Sequence, residues 1–435
     1  MAPNADGVMD DHHVVISADC HAGASIRGYK PYLEQKYHER FDAWADSIEA
    51  AHAQMSARMG DESVLNVGVG GDPVADADRN WDFERRWREE LSDGVVAEVI
   101  FPNTQPPFAP IPSTMFEAPA LVFDDPELRF AGLRAHNRWA ADFVAEAPLQ
   151  RSAVVQVFLG DVEGSVRELE WARENGLRGG MLLPGAPPGS GFEPLYAPVY
   201  EPLWAACADL DYTVTHHSGG GTPDFGPYYP SSMAMFMLEV TWWGHRALWH
   251  LMFSGVFERY PTLRFVNTET GTKWIVDTLD ELDTFFERMK VANYGSEAIF
   301  GRVATKDLSL KPSEYWKRQC AIGASFLRPM ESALRHQVGV DNIMWGSDYP
   351  HIEATTPYTR EALRLTFGGV DPAETTKMLT TNAARFYHFD VDALRPLAQQ
   401  WCPTKGQVFE TLDFSTVPED ASKCPGLAPH TQWDR

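Results

Sequence analysis

The chain has few basic residues for its length. Its 435 residues include 37 lysines and arginines against 61 aspartates and glutamates, which gives a formal charge of −24, and no basic run stands out. A chain this acidic repels nucleic acid and anionic membrane surfaces, so we expect neither as a partner. An anionic small molecule would need a metal ion or an arginine close to it in order to bind.

Long apolar runs are also missing. No stretch approaches the ~20 consecutive apolar residues of a membrane span. Residues 1–11 are polar and acidic, without the apolar segment of a signal peptide. The five cysteines are far apart and form no C-x-x-C pair, which argues against a disulfide framework and favours a reducing compartment. We therefore expect a cytoplasmic protein that acts on a small molecule.

Motifs of covalent catalysis are absent as well. The sequence has no G-x-S-x-G elbow and no cysteine and histidine pair that would activate a nucleophile. Cys20 lies between Asp19 and His21 in an extended segment and should point away from both. The chemistry must therefore come from other side chains.

What the chain does have is a series of short apolar runs that end in polar side chains. The run 343–345 stops at Gly346 and leads into Asp348, and Pro350 prevents the strand from continuing. Three other runs lead into side chains that are able to bind a metal ion: Asp19 and His21 after 13–18, His216 and His217 at the end of 212–217, and Glu269 after 263–268. The C-terminal ends of barrel strands are where catalytic and metal-binding groups collect.

These residue types indicate the kind of ion. Imidazole and carboxylate groups suit Zn²⁺, Mn²⁺ or Fe²⁺ better than Ca²⁺. Asp19 and His21 are two residues apart and so point to the same side of an extended segment. Ordinary roles remain open, because Asp348 can cap a turn and the other two can be surface-loop residues.

Strand patterns alternate with helix patterns along the chain. The predicted strands are 13–18, 95–102, 153–159, 177–183, 212–216, 263–268, 319–324 and 342–346. Eight strands alternating with helices predict an α/β protein with a (β/α)8 barrel of the TIM type. The segment 22–93 is longer than the usual βα loop of about 2–6 residues, and we interpret it as an insertion that caps the barrel. We expect one domain over 1–395 and a C-terminal tail over 396–435 that wraps a neighbouring subunit or is loosely ordered.

Several of these motifs, taken in order, resemble one family. They are the D-x-H pair, H-S-G-G at 217–220, SGVFERYPTLRFVNTETG at 254–271 and WGSDYPH at 345–351. Together they resemble the amidohydrolase superfamily, in particular its ACMSD-like decarboxylase branch, the amidohydrolase 2 family. The similarity runs from about Val14 to about Phe386. It implies a metal-dependent distorted (β/α) barrel in a branch that includes non-oxidative decarboxylases of small aromatic acids and hydrolases.

The resemblance also implies a ligand set. It predicts four metal ligands: Asp19, His21, His217 and Asp348. His217 is preferred over its neighbour His216 because the family has its ligand at that position, and His216 remains the alternative. We expect Zn²⁺ first, with Mn²⁺ or Fe²⁺ as alternatives. Two departures, Glu269 where many relatives carry histidine and D-x-H in place of H-x-H, weigh against a strictly hydrolytic binuclear mechanism.

The expected roles follow from these positions. Catalysis is assigned to Asp348, Glu269 and His217, with Glu269 as an acid and base unless it forms a salt bridge with Arg264 or Lys273. Substrate contacts are assigned to Arg246, His250 and His351. Their alternative roles are a solvent-facing arginine, a core histidine and a contact to the ligand Asp348.

Two activities fit this site. The first is a metal-dependent non-oxidative decarboxylase of a small aromatic or unsaturated carboxylic acid. The alternative is a metal-dependent hydrolase that cleaves an amide, a lactone or a carbon–carbon bond, and a barrel that only binds a ligand is a third. The 14 tryptophans fit a flat apolar ligand, although aromatic residues also pack cores. The branch resemblance further implies a homodimer or a higher homo-oligomer.

Overall fold

The computed structural model of the protein describes residues 11–59, 74–103, 106–109, 125–351, 353–424 and 427. Within these ranges the strands are β1 (Ile16–Ala22), β2 (Ala97–Pro102), β3 (Arg151–Ala153), β4 (Val155–Gln156), β5 (Met181–Leu182), β6 (Thr213–His217), β7 (Arg264–Thr268), β8 (Cys320–Ser325) and β9 (Ile343–Gly346). All neighbouring strands pair in parallel, in the orders β1-β2-β3 and β4 to β9.

The two sets of strands join into one ring. Val154 lies between β3 and β4; its N–H donates to Ile100 O (3.0 Å), and the next N–H donates across to Gly180 O (2.7 Å). The last strand returns to the first, where Asp348 N donates to Asp19 O at 2.9 Å. Counting β3 and β4 as one strand, eight parallel strands close the ring, which confirms the predicted (β/α)8 barrel.

Helices cover the outside of this ring. They are α1 (His38–Met59), α2 (Phe83–Asp93), α3 (Pro126–Ala145), α4 (Val162–Glu174), α5 (Glu201–Asp209), α6 (Ser231–Phe253), α7 (Val256–Arg259), α8 (Lys273–Val291), α9 (Arg302–Thr305), α10 (Pro312–Gln319), α11 (Pro329–Ala333), α12 (Arg335–Val338), α13 (Thr359–Phe367), α14 (Pro372–Thr376), α15 (Asn382–Tyr387), α16 (Val391–Trp401) and α17 (Lys405–Phe409). Shorter 3-10 helices span Ile26–Tyr32, Gln35–Tyr37, Val74–Asn80, Pro198–Tyr200, Val340–Asn342, Phe414–Thr416 and Glu419–Lys423, and π-helices span Glu297–Gly301 and Lys377–Thr381. None of the helices in the described ranges is long and apolar enough to cross a membrane.

Local sequence explains several of these boundaries. Asp161 accepts from Gly164 N at 2.8 Å and so caps α4. The chain then leaves this helix through Gly176, whose φ of 85° is in the left-handed region that glycine adopts without strain.

The first predicted strand, 13–18, is wrong in its limits. The strand is Ile16–Ala22, because Cys20 to Ala22 pair with Ile100 to Pro102 after a register shift. Asp19 and His21 therefore lie within a strand instead of after it. Strand 153–159 is likewise replaced by β3 and β4, and strand 177–183 shrinks to Met181–Leu182, because only these two residues of the run pair with β4 and β6.

The connection from β1 to β2 is long, as predicted. Helix α2 forms the last part of this connection, and Arg86 on this helix is fully buried. Arg86 Nη1 donates to His21 O at 2.7 Å, so this helix lies directly against β1. Residues 60–73, including the glycine-rich part of the predicted insertion, lie outside the described residues, and a cap over the barrel stays a prediction.

The predicted tail, 396–435, is packed on the same chain over its described part. Helix α16 runs across residue 395, and Ala398, Cys402 and Val408 belong to the main hydrophobic core. Lys405 N also donates to Asp11 O at 2.7 Å. The division into a barrel domain and a tail stays a prediction.

Candidate metal centre

The four predicted ligands meet at the C-terminal ends of the strands. Asp19 and His21 project from β1, His217 ends β6, and Asp348 follows β9. His21 Nε2 lies 3.4 Å from Asp19 Oδ1 and 3.2 Å from Asp348 Oδ1. His217 Nε2 lies 3.4 Å from the same Asp19 oxygen. Three distant segments of the chain thus place His21 between the two carboxylates, with His217 beside Asp19.

The donor set fits a divalent cation. His21 Nε2 and Asp348 Oδ2 are buried, and neither makes a hydrogen bond of proper geometry. Leaving such groups without a partner costs about 1–3 kcal/mol each, so they are expected to have one. Donor atoms of Asp19, His21 and His217 all lie within 4.8 Å of one another, a spacing compatible with a shared ion. Imidazole nitrogen and carboxylate oxygen are ligands that Zn²⁺, Mn²⁺ and Fe²⁺ accept.

Ionisation of the cluster reflects its mixed charges. Burial would raise the pKa of Asp19, but the neighbouring His217 charge and the close approach of both imidazoles lower it well below its usual range. Burial would lower the pKa of His21, but its carboxylate partners Asp19 and Asp348 raise it to about 10. The pKa of His217 rises to about 9, because Asp19 outweighs the effect of burial. Without a cation the imidazoles hold protons against the carboxylates, and a bound cation would displace them.

Glu269 lies at the edge of this cluster. It follows β7 with a φ of 55°, and its Oε2 lies 3.5 Å from His217 Nδ1. Burial is the main cause that raises the pKa of Glu269 to about 7; Asp348 and Asp19 raise it further, and His217 lowers it. The alternative partner Arg264 is paired with Asp211 at 2.6 Å.

His351 is held against the cluster. Its Nδ1 donates to Asp348 Oδ1 at 2.9 Å, and its Nε2 lies 2.9 Å from Asn103 Oδ1. The ring stacks on His21 with centroids 4.0 Å apart. His351 therefore orients Asp348. This contact is the alternative that the sequence offers to a direct role of His351 in substrate binding.

The adjacent histidines face opposite sides of β6. His216 Nδ1 bonds to Leu183 O at 2.9 Å, and burial lowers the pKa of His216 to about 4. Arg246 and His250, the other two predicted substrate contacts, line a small separate cavity together with His216. The structure thus brings His217 to the metal centre and leaves these three residues outside it.

Sequence reasoning missed several residues that contact the cluster. Ser325, at the end of β8, donates its hydroxyl to Asp19 Oδ2. Its position at a strand end is the same signal that found the ligands, but serine is common at such ends. Arg86 holds the backbone oxygen of His21 from helix α2, and nothing in the local pattern indicates that contact.

A cavity of about 340 Å³ opens beside His217. Its walls are mostly apolar, as is typical of small-molecule sites. The described residues that line it are Phe101, Pro102, Arg129, Leu133, Gln156, Val157, Phe158, Leu159, Leu182, Leu183, Pro184, Phe192, His217, Ser218 and Gly220.

Comparisons with known proteins agree with this fold. A model of the amidohydrolase family matches residues 100–389. No curated protein matches the chain in sequence. Among solved structures, the chain is similar to 5-carboxyvanillate decarboxylase from Sphingomonas paucimobilis, with 20% identity and a TM-score of 0.59 over 86% of this chain and 99% of that chain.

Two further structures are similar to the chain. One is 2,6-dihydroxybenzoate decarboxylase from Rhizobium, with 16% identity and a TM-score of 0.58 over 87% of this chain and 99% of that chain. The other is 5-carboxyvanillate decarboxylase from Novosphingobium aromaticivorans in complex with manganese and 4-hydroxy-3-methoxy-5-nitrobenzoic acid. It has 17% identity and a TM-score of 0.62 over 88% of this chain and 99% of that chain. At these identities the likeness shows a shared fold.

Proposed function

We infer the function of this chain from its family, because the chain belongs to the amidohydrolase family, whose model matches about two thirds of its residues. We propose that it is a metal-dependent lyase that removes CO₂ from a small aromatic or unsaturated carboxylic acid. The observation that carries the proposal is the meeting of Asp19, His21, His217 and Asp348 beside an apolar cavity. Similar folds in proteins named as decarboxylases of aromatic acids support it.

The proposed cofactor is one divalent cation held by those four side chains. When bound, it would supply positive charge to hold the substrate carboxylate and a neighbouring oxygen. The donor set does not separate Zn²⁺, which the sequence favours, from Mn²⁺, which a similar decarboxylase carries. We therefore propose both as the first ions to test, with Fe²⁺ as the third.

The chain's own residues would prepare the reaction. Ser325 fixes Asp19 through its hydroxyl, and His351 fixes Asp348 through Nδ1. His217 Nδ1 donates to Ser218 O at 3.0 Å, which leaves Nε2 free to bind the ion.

Glu269 is the proposed proton donor. A proton from its carboxyl group adds to the carbon that bears the substrate carboxylate. The bond from that carbon to the carboxylate then breaks, its electron pair restores the ring, and CO₂ leaves. A proton from the solvent then returns to Glu269, so that one proton is taken up for each CO₂ released. The mostly apolar walls of the cavity suit an aromatic ring beside the cluster.

A hydrolase is the second candidate for the same site. Asp348 is buried, and burial would raise its pKa, but His351 and His21 lower it, so the group is an ionised base. Its Oδ2 has no hydrogen-bond partner in the described structure and is therefore available to accept a proton from water. Such a site would cleave an amide, a lactone or a carbon–carbon bond.

One experiment tests the proposal and separates the two candidates. The purified protein is analysed for metals, stripped, reloaded with Mn²⁺, Zn²⁺ or Fe²⁺, and assayed on hydroxybenzoates for CO₂ and on aromatic lactones for acid release. We expect metal-dependent CO₂ release without consumption of water. Metal-dependent lactone opening alone would support the hydrolase, and activity that survives stripping would contradict both.

The adjacent histidines provide a matched control. His217→Gln should lose bound metal and activity together, because it removes a ligand nitrogen. His216→Gln should keep the metal, because its imidazole faces the other side of β6. Equal metal loss in the two variants would contradict the ligand assignment.

We also propose a homodimer in the cytoplasm. On helix α6 the exposed fractions of Met237, Leu238 and Trp242 are 67%, 72% and 49%. Ile299 and Phe300, in the π-helix that follows α8, are also exposed. Exposed apolar side chains grouped on one segment favour burial against a partner. The five cysteines are buried and form no C-x-x-C pair, which fits a reducing compartment. Light scattering at two protein concentrations tests the dimer, and a monomer in both would refute it.

A further inference from the structure

A chain of buried amides leads from the connection between β1 and β2 to the metal centre. Asn80 ends the 3-10 helix Val74–Asn80, and Asn103 follows β2. The two asparagines are 1% and 9% exposed, and Asn103 Nδ2 donates to Asn80 Oδ1. Asn103 Oδ1 lies 2.9 Å from Nε2 of His351, the residue whose Nδ1 fixes Asp348. The chain of hydrogen bonds therefore reaches Asp348 through the imidazole of His351.

The backbone decides which way each amide points. The nitrogen and the oxygen of an amide group have nearly the same shape, so their hydrogen-bond partners set the orientation. Asn80 Nδ2 donates to Ala77 O at 3.1 Å, and a carbonyl oxygen only accepts. Asn80 therefore turns its oxygen to Asn103, which turns its nitrogen to Asn80 and its own oxygen to His351. Nε2 of His351 must then donate in this bond, so the ring donates on both of its sides.

The same two asparagines hold the C-terminal end of β1. Asn103 N donates to Ala22 O at 3.0 Å, and Gly23 N donates to Asn80 O at 3.2 Å. Ala22 directly follows the proposed ligand His21 in the sequence. The asparagines thus connect the strand that carries two of the proposed ligands with the turn that carries the fourth.

The bond from His351 determines which oxygen Asp348 offers to an ion. It occupies Oδ1 of this carboxylate, whereas Oδ2 is buried and makes no hydrogen bond in the described structure. Without the contact to Asn103, the imidazole would be free to leave its rotamer, and the carboxylate would lose its fixed orientation. Such outer partners matter to metal ligands, and their loss typically costs about 10–100-fold in metal affinity.

We propose that Asn80 and Asn103 are positioning residues that set the orientation of Asp348 through His351. The inference rests on the proposed function, because that function makes Asp348 a metal ligand. It gives the connection between β1 and β2 a part in the metal centre beyond the contact of Arg86 with the backbone of β1.

Metal binding by asparagine variants tests the proposal. Co²⁺ is the probe ion, because its visible spectrum reports the geometry of its ligands, and its affinity is measured by competition with a chelator. Asn103→Leu removes the acceptor for His351 and should weaken Co²⁺ binding about tenfold or more and alter the spectrum. Asn80→Leu should act in the same direction, because Asn103 then loses the partner that orients it. Asn103→Asp keeps an oxygen that accepts from His351 Nε2 and should retain most of the wild-type affinity.

Asn342 provides a matched control. It is 4% exposed, and its Nδ2 donates to Trp316 O at 3.1 Å and to Cys320 O at 2.7 Å, so it is also a buried asparagine with a bonded side chain. It precedes β9, at the opposite end of this strand from Asp348. Asn342→Leu should lower the urea midpoint of unfolding, but it should keep the Co²⁺ affinity and spectrum of the wild type.

The outcomes separate the positioning role from the proposed function. The positioning role alone is overturned by wild-type Co²⁺ binding in both leucine variants, by an equal loss in Asn342→Leu, or by an Asn103→Asp variant as weak as Asn103→Leu. A wild type that binds none of Co²⁺, Zn²⁺ and Mn²⁺ overturns the proposed function and the positioning role with it. Weaker binding confined to Asn80→Leu and Asn103→Leu, with recovery in Asn103→Asp, supports the positioning role.

Discussion

We predict that Arg86 links the stability of the barrel to the proposed metal centre, and its removal is the sharpest test of that link. The residue is fully buried on α2. Its Nε donates to both oxygens of Glu98 at 3.0 and 3.1 Å, and its Nη1 donates to His21 O at 2.7 Å. The guanidinium also lies 4.8 Å from the centre of the Tyr349 ring, next to Asp348. Arg86→Met removes the charge and these bonds while keeping an unbranched side chain.

The expected loss of stability follows from the partner left behind. Breaking a buried ion pair by removing one member costs about 3–5 kcal/mol, because the other charge stays buried. Glu98 would retain Arg151, whose Nε donates to it at 3.2 Å, so we place the loss near the lower end, about 3 kcal/mol. Metal affinity should also fall about tenfold or more, because the group that fixes the backbone of a ligand is lost.

Urea unfolding and metal titration measure the two effects in the same preparation. Arg88→Met is the control, because Arg88 is an exposed arginine on the same helix and should cost less than about 0.5 kcal/mol. The unfolding midpoint of Arg86→Met should drop while the slope stays constant. A midpoint equal to that of Arg88→Met, or a stability loss with unchanged metal affinity, would refute the link.

Three further predictions follow from single residues. Gly346→Ala should lower the free energy of unfolding by about 1–3 kcal/mol and reduce the metal content, because its Cβ would lie 2.7 Å from Asp19 Cβ. Gly406→Ala is the control, because the nearest atom to its Cβ would be 3.9 Å away. Thermal melts and metal analysis compare the two variants. Glu269→Gln should keep its metal but lose about 10²–10⁴ in kcat on any decarboxylation substrate found, and an unchanged kcat would exclude it as proton donor. Burial lowers the pKa of His136 to about 3, so at acidic pH the native state binds fewer protons than the unfolded chain. The free energy of unfolding therefore falls as the pH drops below about 6.5, by up to about 5 kcal/mol. His136→Phe should shift the acid unfolding transition, followed by circular dichroism, to lower pH.

Much of the fold was predictable because strand ends carry local signals. Apolar runs followed by turn-forming residues located β6 to β9 to within one residue at either end. The first strand failed because Asp19 and His21 are polar residues within a fully buried strand, and a local hydrophobic pattern ends the strand before them. Pairing with β2, which extends β1 to Ala22, depends on long-range register that no local pattern contains.

Site residues could be predicted where they lie at the end of a strand. They could not be predicted where contacts with a neighbouring element determine which way the side chain faces. The two adjacent histidines point to opposite sides of β6. Only the hydrogen bond of His216 to Leu183 O shows that His217 is the one on the side of the cluster. Arg246 and His250 lie on helix α6, where sequence does not show whether a side chain faces the barrel interior or the helix layer.

The backbone itself marks the two carboxylates that follow β7 and β9. Glu269 and Asp348 have φ values of 55° and 64°, in the left-handed region that costs a residue with a side chain about 1 kcal/mol or more. Each is held there by its own N–H, which donates to Gly323 O at 2.9 Å and to Asp19 O at 2.9 Å respectively. Glycine would relieve both positions, yet each carries an acid that the turn directs toward the cluster. The conformation that Glu269 shares with Asp348 favours a functional role for this glutamate. It argues against a functionally neutral replacement of the histidine that many relatives carry.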